Sequence, residues 1–169
     1  LTTARLMVSG AAAADAVERA RLLPSLRVGL HVVVVEGRPT SPPDEVPDLV
    51  ERNGAFSTRL ARAGFNFFFR PAARKQLEKE IRAQFEAFKQ TGLALDHVNA
   101  HNHMHLHPTI LSLILRLGPE FGLRAVRVPY EPAMLSWRAS KRGLGSKLSW
   151  GAFLFPWMRF MKFRLKHNA

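Results

Sequence analysis

Five of the seven histidines alternate along one stretch, Asp96-His97-Val98-Asn99-Ala100-His101-Asn102-His103-Met104-His105-Leu106-His107-Pro108. Neutral imidazole is the commonest protein metal ligand and titrates near neutral pH, so this spacing concentrates acid–base and metal chemistry on one surface. On an extended strand alternate side chains leave opposite faces. His97, Asn99, His101, His103, His105 and His107 would then form one polar row backed by a mostly apolar one. Same-face neighbours on a strand stand ~6.6 Å apart, so at most two or three of them can reach one ion. The remainder are expected to be structural, His97 because it lies deeper in the strand and His107 because it adjoins a helix start. An affinity tag would also alternate histidines, but tags lie at chain ends, and this run is internal.

A further imidazole, His31, lies inside Leu26 to Val35, a run rich in β-branched residues. Such a run suits a strand buried on both faces of a parallel sheet. A lone core histidine is usually satisfied structurally, but a second histidine cluster makes His31 a candidate partner. The chain has no cysteine, so a metal would have to be held by His and carboxylate.

The elements that must position these residues alternate. Ala4 to Val8 reads as a strand, Ala11 to Leu23 as an alanine-rich helix and Leu26 to Val35 as the buried strand. Glu36-Gly37-Arg38-Pro39 opens a breaker-rich stretch to Thr58 without periodicity, expected to be a mobile loop near the site that His31 serves. Phe65, Phe67, Phe68 and Phe69 are expected in the core or a pocket wall. Pro71 suits a first helical turn, and Leu77, Ile81, Phe85 and Phe88 recur at helical spacing until Thr91-Gly92. The histidine strand follows, then a helix from Pro108 with Ile110, Leu111, Ile114 and Leu117 on its buried face, then a strand over Arg124 to Val128. This order predicts an α/β fold, a parallel-stranded (β/α) barrel-like domain incomplete at both ends. In such folds sites lie at the carboxyl ends of the strands, where His101 to His107 fall.

With 169 residues, 47% hydrophobic and 22% charged, the chain suits one folded domain or a piece of one and is not disordered throughout. No apolar run reaches the ~20 residues that span a bilayer. The net charge of +12 favours anionic partners. From Pro132 to Ala169 there are eight Lys or Arg residues, no Asp or Glu, and all three tryptophans. Residues 1–131 therefore read as the α/β core and 132–169 as a basic, aromatic-rich helical segment. Its mixture of cations with Trp, Phe, Leu and Met suits peripheral contact with an anionic lipid surface better than a nucleic-acid platform. A basic hairpin packed on its own domain is the remaining reading.

Leu6-Met7-Val8-Ser9-Gly10, Val28-Gly29-Leu30-His31 with Glu36-Gly37-Arg38-Pro39, Asp96-His97-Val98-Asn99 with His101-Asn102-His103-Met104-His105, and Val126-Arg127-Val128-Pro129-Tyr130-Glu131-Pro132 together resemble the YdjC-like carbohydrate deacetylases, and within them the hopanoid-biosynthesis-associated branch. The resemblance implies a divalent metal, usually magnesium, that assists removal of an N-acetyl group from an amino sugar. Matched motif by motif, it places the metal ligands on His31 and His101. His103, His105, Asn99, Arg127 and Glu131 become candidates to support those ligands or face the substrate. The implied substrate is an acetylated glucosamine on a hopanoid lipid, handled in the cytoplasm, with the basic tail against the inner face of the membrane. The family opens with an Asn-Ala-Asp-Asp-Phe-Gly strand end that supplies a metal-binding and a catalytic Asp. No Asp-Asp pair occurs here, so the chain is expected to be an internal fragment whose catalytic aspartate lies upstream of Leu1.

Ligand softness alone favours zinc, nickel, manganese or iron over magnesium for a His and carboxylate set. Two other functions fit the residues. One is a barrel metallohydrolase of the amidohydrolase type, which also uses His-x-His at a strand end. The other is a non-enzymatic basic module that binds lipid or nucleic acid.

Overall fold

The computed structural model describes residues 2–127 together with Arg159 and Phe163. The chain divides into two compact units, Leu1–Val126 and Arg127–Ala169. In the second unit Arg159 and Phe163 are helical; Glu131 and the rest of the basic aromatic segment lie outside the described residues.

In the first unit three parallel strands lie in the order β1 (Thr3–Leu6), β2 (Arg27–Val32) and β3 (Leu95–Ala100). A bridge from Val98 to Val126 begins a further parallel neighbour beside β3, within the stretch expected to be a strand. Helix α1 (Ala13–Arg21) crosses from β1 to β2, and α2 (Leu60–Phe69) and α3 (Pro71–Gln90) lead from β2 to β3. Helix α4 (Pro108–Leu117) follows the histidine segment. Parallel strands need such crossovers, which makes this a mixed α/β fold with a parallel sheet.

The hydrophobic pattern explains the packing. Leu30, Val32, Val33, Val34 and Val35 are buried, so the apolar run stays inside beyond the end of β2. Leu77, Ile81, Phe85 and Phe88 form the buried stripe of α3, and Ile110, Leu111, Ile114 and Leu117 that of α4. Pro71 and Pro108 both occupy the first turn of their helices, where a missing N–H costs no intrahelical bond.

Three expectations change. Residues 60–69, to which the sequence pattern assigns no element, form a helix, and of its phenylalanines, all expected in the core or a pocket wall, only Phe67 is buried; Phe65 and Phe69 are about three-fifths exposed. The stretch between β2 and α2 is tied down rather than loose. Val46, Leu49 and Phe56 are buried in the core, and the buried carboxylate of Glu80 on α3 accepts from the backbone N–H of Thr40 and Ser41 at 2.9 Å each. The chain leaves this excursion where it entered, since Phe56 N–H donates to Gly37 O at 2.8 Å and Glu36 N–H to Ser57 O at 3.3 Å. Its far tip is a turn at Glu51–Ala55.

The third change concerns the histidine row. The strand ends at Ala100, and His101–Leu106 coil into a kinked 3-10 segment in which Asn102 and His103 have φ of 49° and 55°. The period of two holds from Asn99 to His101 and then breaks, so the six polar residues do not share a face.

Candidate metal centre at the carboxyl end of the sheet

Register builds the site. Parallel pairing sets His31 of β2 opposite Asn99 of β3, so their side chains leave the same face of neighbouring strands. Asn99 is buried, and its Oδ1 lies 2.8 Å from His31 Nδ1. An amide oxygen only accepts, so Nδ1 carries the ring proton and the lone pair of His31 resides on Nε2. That lone pair points at His101 Nδ1, 3.4 Å away, with the two rings edge to face.

His101 is the first residue beyond β3. Its other nitrogen, Nε2, lies 3.6 Å from Glu36 Oε2, and the same oxygen accepts from Asn102 Nδ2 at 2.7 Å. Half-burial holds the His31 imidazole below its ordinary value of 6.5. The Asn99 hydrogen bond opposes that shift, while charge on His101, Arg5 and His103 reinforces it. His31 therefore stays neutral, with its lone pair available, to lower pH than a free histidine.

Two nitrogens that share one tetrahedral ion at ~2.0–2.1 Å each stand about 3.3 Å apart. The 3.4 Å between His31 Nε2 and His101 Nδ1 meets that spacing, and the tautomer of His31 is the ligand tautomer, fixed by a partner on its other nitrogen. Among the described residues no group of three or more His, Asp or Glu gathers in metal-binding array. The pair fits a divalent ion as part of a ligand set.

The other histidines separate by role. His105 is fully buried and its Nδ1 accepts the Ala100 N–H at 3.0 Å, which caps the end of β3. His103 is exposed and packs edge to face with His105. His97 bonds Asp96 at 2.9 Å, and its ring crosses Gly29, where an added Cβ would meet His97 O at 2.5 Å and Nε2 at 2.6 Å. His107 donates from Nε2 to Gly64 O at 3.0 Å and sits edge-on to Phe67 and Phe68. Arg127 begins the second unit. Glu36 and Asn102 are site residues that the spacing of the histidines did not single out. Both lie inside motifs that carry the family resemblance, Glu36-Gly37-Arg38-Pro39 and His101-Asn102-His103, which give neither of them a role.

A family model described as YdjC-like protein matches residues 1–167. A carbohydrate deacetylase of Oceanobacillus iheyensis is 38% identical over 121 residues, covering 72% of this chain and 50% of the relative. A carbohydrate deacetylase of Mus musculus is 31% identical over 150 residues, covering 86% and 44%. A solved Enterococcus faecalis V583 protein, named for cellobiose-phosphate cleavage, superposes with a TM-score of 0.65 at 22% identity, over 88% of this chain and 52% of that one. At that identity the likeness is one of fold. The chain spans about half the length of the curated relatives it matches.

Proposed function

Because the chain belongs to the YdjC-like family, we propose that it carries the histidine half of a metal-dependent site that removes an N-acetyl group from an amino sugar. The observation that carries this reading is the facing pair, His31 Nε2 and His101 Nδ1 at 3.4 Å, with Asn99 holding the proton of His31 on the far side of its ring. The relatives' shared name, carbohydrate deacetylase, supports the substrate class.

When bound, a divalent ion supplies charge that polarises the acetyl carbonyl and acidifies a water. His31 and His101 would hold it, and Asn99 would keep the His31 ring from turning. Amide hydrolysis also needs a base for the water's proton and an acid for the departing amine. His103, exposed beside the pair, is the imidazole of this chain best placed to meet a substrate. His105, buried against the strand end, braces the segment that carries His103. The catalytic aspartate and the third ligand belong, in this reading, to the part of the relatives' length that this chain does not span, with which the sheet closes toward a barrel.

Two imidazoles suit zinc or another transition metal by softness, whereas the family resemblance points to magnesium; zinc is the better first probe. The resemblance of the motifs to the hopanoid branch makes a lipid-linked acetylglucosamine the proposed substrate. The basic segment 132–169 would then meet the inner membrane surface. Among the described residues no helix is long and apolar enough to cross a membrane.

The test is acetate release from N-acetylglucosamine oligomers and from an acetylglucosaminyl lipid, using the protein at the length of its relatives. Activity should fall to background in His31→Ala and in His101→Ala. Unchanged turnover in both variants would remove the histidine pair from the mechanism. The 169-residue chain by itself should bind zinc weakly and release no acetate.

A further inference from the structure

We propose that Glu36 is a positioning residue whose carboxylate clamps the histidine segment and turns the His101 ring so that Nδ1 faces His31. The inference rests on the metal-site reading above and adds to it a residue on a different element. Three observations support it.

The first is which nitrogen Glu36 meets. Its Oε2 lies 3.6 Å from His101 Nε2, and the two ring nitrogens lie on different edges of an imidazole. Glu36 is thus on the far side of the ring from His31 and does not join the same ligand set. At 3.6 Å the contact is beyond a direct hydrogen bond, so the carboxylate acts through charge. An anion opposite Nε2 favours the tautomer with its proton there, which leaves the lone pair on Nδ1, toward His31.

The second is the backbone. Among the described residues, the non-glycine residues with left-handed φ are Glu36 at 51°, Asn102 at 49° and His103 at 55°. The first two are joined by the 2.7 Å bond from Asn102 Nδ2 to Glu36 Oε2, across 66 residues of sequence. Asparagine tolerates this conformation and glutamate does not favour it. Left-handed backbone at both ends of one hydrogen bond, unfavourable at Glu36, beside the facing imidazoles, is the pattern of a geometry held for function.

The third is the rigidity of what carries Glu36. Gln84 on α3 accepts from Val33 N–H at 2.9 Å and donates to Val33 O at 2.6 Å. Glu80, one helical turn earlier, holds Thr40 and Ser41. Glu36 therefore projects from a short arc fixed before and after it, as a positioning group requires.

The experiment uses the protein at the length of its relatives and compares wild type with Glu36→Gln, Asn102→Gly and His101→Ala. Glycine keeps the left-handed backbone at 102 and removes only the amide. Two readouts are used: imidazole ¹⁵N shifts at pH 8 with zinc present, which report which nitrogen of His101 carries the proton, and zinc titration followed calorimetrically. In the wild type His101 should carry its proton on Nε2. Glu36→Gln should shift it toward a tautomer mixture and weaken zinc binding by about 10–100-fold, the usual cost of losing an outer partner. Asn102→Gly should move both readouts in the same direction. An unchanged tautomer in Glu36→Gln, with the chain folded, overturns the role of Glu36, whatever zinc does. Zinc binding equal in wild type and His101→Ala overturns the metal reading, and the tautomer result still decides whether Glu36 orients the ring.

Discussion

His31 Nε2 and His101 Nδ1 face one another across 3.4 Å although 70 residues separate them in sequence. Each ring has its other nitrogen engaged, His31 by Asn99 and His101 by Glu36. With the His31 lone pair on Nε2, the gap is closed either by a proton on His101 Nδ1 or by a cation held between the two nitrogens. Replacing Asn99 by Ala removes the acceptor that fixes His31. Zinc affinity should fall by about 10–100-fold with the fold retained. Calorimetric titration checks this, and an unaltered affinity would mean that the ring is held by packing alone.

Glu80 is buried on α3 and accepts from Thr40 N–H, Ser41 N–H and Gln84 Nε2. Removing a buried acceptor leaves each donor with a desolvation cost of about 1–3 kcal/mol. Glu80→Ala should therefore lower unfolding stability by roughly 3 kcal/mol in urea titration. Glu80→Gln, which keeps one acceptor oxygen, should lose less. Equal losses in the two variants would point to packing rather than hydrogen bonding.

Burial holds the His107 imidazole below its ordinary 6.5, only partly offset by its bond to the Gly64 carbonyl. Well above pH 6.5 the ring is neutral folded or unfolded and adds no pH dependence. As pH falls below that value the unfolded chain takes up a proton that the folded chain resists, so stability drops until the folded ring titrates. His31 contributes with the same sign. Melting temperature should therefore fall as the pH drops below 6.5, less steeply in His107→Phe than in wild type. Parallel slopes would remove His107 as a contributor.

The phenylalanines of α2 should divide by burial. Phe67→Ala should cost about 3–5 kcal/mol as a core truncation. Phe65→Ser and Phe69→Ser, at exposed positions, should change stability by no more than about 0.5 kcal/mol. Chemical denaturation distinguishes the two classes, and a large loss at Phe65 would show that its exposed ring contributes to the fold.

Regular elements were legible where a single period ran long enough. Helix α3 could be drawn from Pro71, the Leu77-Ile81-Phe85-Phe88 stripe and Gly92, whose φ of 73° ends the turn. Helix α2 was not, because Gly64 and Asn66 interrupt it and exposed phenylalanines blur its apolar face. The histidine alternation described a strand correctly up to His101. Asn and His tolerate left-handed backbone, yet residue type alone does not place such a turn at Asn102 and His103, where Glu36 on another element accepts from Asn102. The family motifs name His31, His101 and Asn99, which the structure brings together, whereas the contact of Glu36 with His101 emerges only from three-dimensional proximity.

The excursion after Gly37 returns to within hydrogen-bonding distance of its own start, at Phe56. Lengthening a loop whose ends are pinned together adds only a slowly growing entropic cost. Insertions at the Arg52–Asn53 tip should accordingly be accepted without displacing Glu36 or the start of α2. Sequence at that tip is therefore free to drift among relatives while the facing imidazoles keep their spacing, which separates change at the surface from change in the chemistry.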